Sequence, residues 1–120
     1  MHDLGRSVDA LGPQIGSGNN IHMWSNADVL QQKFYLENRG NGYFSLQSAY
    51  GSKLFVTVDG RGNGANLYTA AWSNSDSQLF RLVNAGDNSY YVFAKVGVNL
   101  NFDCAGAGKS DGNNVQLERK

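Results

Sequence analysis

The stretch Asn19-Asn20-Ile21-His22-Met23-Trp24, followed by Gln32-Lys33-Phe34-Tyr35-Leu36, decides how the rest of the chain is read. It returns as Ala65-Asn66-Leu67-Tyr68-Thr69-Ala70 with Gln78-Leu79-Phe80-Arg81-Leu82, and again as Asn113-Asn114-Val115-Gln116-Leu117. Phe34 and Phe80 lie 46 positions apart, and Leu67 and Val115 lie 48 apart. A period of that length carrying strand-type alternation marks one supersecondary unit used three times, each copy burying its apolar face against its neighbours.

Working outward from the repeat, period-two alternation dominates wherever apolar residues gather. Phe34 with Leu36, Phe44 with Leu46, Phe80 with Leu82, and Tyr91 with Phe93 each share a face. Turns such as Arg39-Gly40-Asn41-Gly42 and Asp59-Gly60-Arg61-Gly62-Asn63-Gly64 separate the runs. No stretch keeps helical spacing for three turns, so the expected class is all-β. Ten strands are predicted: 6–10, 20–24, 33–37, 43–48, 54–58, 66–71, 79–83, 90–95, 99–103 and 114–118. The middle unit shows four. The first lacks its opening strand and the third its closing one, where a complete threefold object would have twelve.

Composition bounds the function. The chain has 120 residues, 41% hydrophobic and 17% charged, with 15 glycines and one proline. That is one turn-rich globular domain, 1–120, with repeat units at about 1–41, 42–86 and 87–120. Zero formal net charge and no Lys/Arg cluster argue against nucleic acid as partner, because phosphate neutralisation needs a basic face. No apolar run approaches the roughly 20 residues of a membrane helix. Met1-His2-Asp3 begins no signal peptide, and nothing specifies a compartment. A single cysteine, Cys104, has no internal partner for a disulfide.

Three further elements recur with the strands. Gln-x-Phe stands at Gln32-Lys33-Phe34 and Gln78-Leu79-Phe80. An apolar-Asp-x element stands at Val8-Asp9-Ala10, Val58-Asp59-Gly60 and Phe102-Asp103-Cys104. A Gly-x-Asn-aliphatic element stands at Gly18 to Trp24 and, in part, at Gly112 to Leu117. In that order and spacing they resemble the ricin B-type, or QxW, lectin family over almost the whole chain. The resemblance implies a β-trefoil, a six-stranded barrel capped by three hairpins, with pseudo-threefold symmetry. It also implies a module that binds galactose-type or related sugars and polysaccharides non-covalently. In such a fold the first and last strands pair to close the barrel, and those are the two missing here. The expectation is a barrel completed by a partner segment or by a second copy.

A sugar offers hydroxyls that need paired hydrogen bonds and a C–H patch that packs on a ring. A minimal site therefore combines a carboxylate, an aromatic platform and an amide. In the family's positions the first unit supplies Asp9, Trp24 and Gln31, with His22 in place of a glutamine. The second keeps Asp59, but Ala70 replaces the ring and Ser77 the amide, with Tyr68 or Trp72 as possible substitutes. The third keeps Asp103 and Gln116, but Glu118 stands where a ring belongs. Gln32, Phe34, Gln78 and Phe80 are assigned to structure rather than to ligand. Each feature also has a plainer reading: Asp9 as a turn cap, Trp24 as a ring packed over the hairpin cap.

Other signals fail on context. Gly106-Ala107-Gly108-Lys109-Ser110 imitates a phosphate loop, but Asp103 stands where the pattern needs glycine and a strand follows instead of a helix. The 59–64 turn has Arg61 at a calcium-ligand position. Two histidines make no metal site, and nothing orients Cys104 with His2 or His22 as a nucleophile. No carboxylate pair is set for glycosidic chemistry. The expectation is a binding module, not an enzyme, without cofactor or metal. The competing reading is a protein-interaction trefoil, an inhibitor or assembly subunit, with decayed sugar sites.

Overall fold

A computed structural model describes residues 6–10, 20–25, 29–51, 53–86, 89–104 and 114–119. Ten strands form where the alternation predicts them: β1 (Arg6–Ala10), β2 (Ile21–Ser25), β3 (Phe34–Gly40), β4 (Tyr43–Ser48), β5 (Leu54–Asp59), β6 (Asn66–Ala71), β7 (Phe80–Gly86), β8 (Ser89–Ala94), β9 (Leu100–Cys104) and β10 (Val115–Arg119). Single 3₁₀ turns at Leu30–Gln32 and Asp76–Gln78 lead into β3 and β7. Among the described residues no helix is long and apolar enough to cross a membrane.

Two kinds of hairpin alternate along the chain. β1–β2, β5–β6 and β9–β10 are the three repeats of one kind, each antiparallel. β3–β4 and β7–β8 are two copies of the other, and they match rung for rung. Phe34 faces Ser48 as Phe80 faces Ala94, and both ladders break at a bulge, between Asn38 and Gly40 and between Asn84 and Gly86. The bulge glycines, Gly40 and Gly86, have φ of 94° and 86°, a region open to glycine and strained for other residues. In each, the preceding asparagine side chain accepts from the glycine N–H, at 2.8 Å for Asn38 and 2.7 Å for Asn84. The two copies join through a single bridge, Phe44↔Phe80. The contiguous barrel sheet is thus β3-β4-β7-β8.

The pseudo-threefold axis is visible in hydrogen bonds. Asn20, Asn66 and Asn114 close a ring in which each side-chain amide donates to the next carbonyl oxygen at 2.8 Å. Three equivalent residues that touch one another head to tail can do so only around the rotation axis. The backbone repeats the cycle through the bridges Asn20↔Tyr68, Asn66↔Gln116 and Asn114↔His22. Just behind the ring, Ile21, Leu67 and Val115 are each 0% exposed. Such burial contributes about 2 kcal/mol per side chain, and these three form the centre of a core that includes Val56, Phe80, Leu100 and Leu117.

Candidate functional site

The first-unit candidate residues start from a strand pair. In β1–β2, Asp9 lies opposite His22 and Ser7 opposite Trp24. The 3₁₀ turn then returns Gln31 and Gln32 toward β1. Asp9 Oδ1 contacts His22 Nε2 at 3.2 Å, and Oδ2 accepts a hydrogen bond from Gln32 Nε2 at 3.1 Å. Asp9 is 7% exposed and His22 5%. An ionised carboxylate has about four acceptor positions, so each oxygen of Asp9 keeps one lone pair beyond these contacts. Gln31 is half-buried on the same turn. The side chain of Trp24 lies outside the described residues.

The registers correct one equivalence expected from the sequence. Asp103 faces Gln116 as Asp9 faces His22, but the rung that faces Tyr68 carries Thr57. Asp59 sits two residues further along, exposed, and faces Asn66. The hydrogen bonds agree, since Gln78 Nε2 donates to Thr57 Oγ1 at 3.0 Å where Gln32 donates to Asp9. The second unit therefore has no carboxylate at this rung. Its turn is shorter: Asp9 to His22 and Asp103 to Gln116 both span 13 positions, whereas Thr57 to Tyr68 spans 11. Counting back the same 13 positions from Tyr68 lands on Phe55, so the sequence spacing alone does not find the threonine.

Gln78 also shows what the Gln-x-Phe element does locally. It is 0% exposed, donates to Ala71 O at 2.8 Å and accepts from Ser73 N at 2.8 Å. The amide ties the end of β6 to the start of β7, and Phe80, 1% exposed, packs edge-on against Phe102 with centroids 5.4 Å apart.

The remaining candidates are separate. Tyr68 is half-buried, at the axis bridge with Asn20. Trp72 packs on Phe55 with centroids 5.1 Å apart, and the Arg39 guanidinium carbon lies 4.1 Å from its ring centre. A cation–π contact of this kind occupies one ring face. It joins the β3–β4 hairpin to the end of β6, a contact between residues of different repeat units. In the third unit Gln116 Nε2 donates to Glu118 Oε1 at 2.9 Å, so the amide beside Asp103 is engaged by the residue that stands at the platform position. Among the described residues no group of three His, Cys, Asp or Glu could hold a metal. The stretch 106–110, His2 and the side chain of Cys104 lie outside the described residues.

A family model described as ricin-type beta-trefoil lectin domain-like matches residues 30–118. The chain belongs to this family. The match begins after Asp9, His22 and Trp24. Among solved structures, the designed 3-fold symmetric protein ThreeFoil superposes with a TM-score of 0.87 at 28% identity, covering 97% of this chain and 83% of that one. The ricin B-like lectin of Macrolepiota procera, solved in complex with lactose, gives 0.76 at 20% identity, covering 94% and 77%. A mosquitocidal holotoxin gives 0.83 at 11% identity, covering 98% of this chain but 14% of the toxin. These likenesses establish a β-trefoil. No curated protein sequence matches the chain.

Proposed function

We propose that the chain binds carbohydrate non-covalently and that the pocket around Asp9 is its principal site. The observation that carries this reading is the buried Asp9 carboxylate, held from two sides by His22 and Gln32 yet keeping acceptor capacity. A carboxylate fixed in that way is ready to accept from vicinal hydroxyls without losing its own side-chain freedom on binding. Gln31 supplies the amide and Trp24 the ring. The Macrolepiota procera lectin, solved with lactose, supports a galactose-type sugar as ligand. The second unit, with Thr57 and Ala70, lacks both carboxylate and platform, and Asp59, Tyr68 and Trp72 do not assemble a pocket there. In the third, Asp103 and Gln116 are placed as in the first, but Glu118 takes the ring's position, so this pocket contributes little.

Single-site affinity should fall between about 1 mM and 0.1 mM, as a shallow site must desolvate hydroxyls. The test is lactose titration followed by calorimetry. Trp24→Ala should weaken binding at least tenfold with the melting temperature little changed. Asp9→Ala should abolish it and also cost about 1–3 kcal/mol of stability, because Gln32 and His22 lose a buried partner. Retention of lactose binding by both variants would sink the assignment. The reading as a protein-interaction trefoil is favoured by a different observation, the loss of Asp and ring from the second unit, and a glycan array blank for the wild type would select it.

A further inference from the structure

We propose that Asn41 is a site of spontaneous covalent modification, closing on Gly42 to a cyclic imide that opens to aspartate or isoaspartate, while the fold protects a second site of identical sequence. The tripeptide Gly-Asn-Gly occurs twice, at 40–42 and at 62–64. Asparagine is chemically labile, and a following glycine offers its backbone nitrogen with no side chain in the way. Identical flanks give the two sites the same intrinsic reactivity. Asn41, Gly42, Asn63 and Gly64 are all exposed, so access to water does not separate them. What separates them is where their polar groups are held.

Gly64 N donates to Leu117 O at 2.6 Å, and Asn63 Oδ1 accepts from Arg119 N. Both reacting groups of the 62–64 copy are thus tied to β10. Asn41 and Gly42 instead form the two-residue link beyond Gly40↔Tyr43, the last paired rung of β3–β4. Their φ values of 55° and 82° are both positive, as a tight hairpin turn of type I′ requires. Among the described residues neither Gly42 N nor the Asn41 side chain has a hydrogen-bond partner. Apart from chain neighbours, no atom lies within 4 Å of a Cβ built at Gly40 or Gly42, so the apex has room for a ring. The Gly42 nitrogen, losing its proton to hydroxide, bonds to Asn41 Cγ, and the side-chain nitrogen takes up a proton from water and leaves as ammonia. Water then adds to one of the two imide carbonyls and opens the ring. Opening at one carbonyl gives aspartate. Opening at the other gives isoaspartate, which adds a methylene to the main chain of a turn whose length sets the register of β3–β4.

The test is incubation of the folded protein at mildly alkaline pH. Peptide mapping by mass spectrometry follows the change from amide to acid at each site, and enzymatic O-methylation reports isoaspartate. Asn41 should convert at least about tenfold faster than Asn63, because ring closure at Asn63 must first break native hydrogen bonds. The Asn41 rate should rise with pH, since the attacking nitrogen has to lose its proton. In urea, where the ties to β10 are gone, the two rates should converge. Asn41→Gln, whose longer side chain must close a larger ring, should remove conversion at that position and leave Asn63 as it was. Equal rates at the two sites in the folded protein, or faster conversion at Asn63, overturn the proposal. So does an Asn41 that stays intact in the folded protein while the urea-unfolded chain converts, because the turn would then be a protected site as well.

Discussion

Gln78 shows how one side chain carries the repeat's geometry. Its amide meets Thr57 Oγ1, Ala71 O and Ser73 N from a position with no solvent exposure. Truncation would strand several buried groups at once, and each costs about 1 kcal/mol or more when left unpaired. Gln78→Ala should therefore lower stability by about 3 kcal/mol, seen as a fall of about 10 °C in melting temperature. Gln32→Ala should cost less, because Gln32 is half-buried and water can replace it. Equal losses at the two positions would mean that the Gln-x-Phe element acts through its aromatic rather than its amide. Gly97 is a sterner case. Its φ is 75°, and an added Cβ would overlap Leu100 Cδ1 and lie 2.7 Å from Arg61 O. Leu100 is fully buried and cannot step aside, so Gly97→Ala should cost about 3 kcal/mol. Gly62→Ala, with no atom within 4 Å of the new Cβ, should change the unfolding free energy by less than about 0.5 kcal/mol.

At the level of elements, the strands were legible because apolar residues recur at alternate positions, and in β6 and β10 this puts Leu67, Thr69, Val115 and Leu117 on the buried face. Phe34-x-Leu36 and Phe80-x-Leu82 announce the same strand, and the hairpins they begin match to the bulge. Turn length was not legible in the same way. The element Val58-Asp59 looks like Val8-Asp9, but the turn after it is two residues shorter, and in a ladder two residues preserve the face while moving the rung. The alternation therefore survived and the carboxylate's place did not. Contacts between units were also beyond the pattern. Arg39 on Trp72 and Lys95 Nζ with Asp76 Oδ1, 3.2 Å apart, depend on how hairpins cross, which no single repeat encodes. Of the candidate site, Asp9 and His22 came from the resemblance, and the register sets them opposite each other. The surroundings of Tyr68 and Trp72 were not legible.

Across the whole molecule, the asparagine ring is the element that all three units share, and it makes their dependence on one another measurable. Every asparagine gives one hydrogen bond and takes one around the ring. Any single Asn→Ala change therefore removes two of the three, worth about 1 kcal/mol apiece. Changing Asn66 and Asn114 together removes all three, one fewer than the two single changes counted separately. The coupling in a double-mutant cycle should accordingly equal the shared bond, about 1 kcal/mol. It follows that Asn20→Ala, costing about 2 kcal/mol in the wild type, should cost within about 0.5 kcal/mol of nothing once Asn66 and Asn114 are alanine. Urea denaturation of the eight combinations measures this directly. Strict additivity would show that the amides are satisfied by water in solution and that the axis is held by Ile21, Leu67 and Val115 alone.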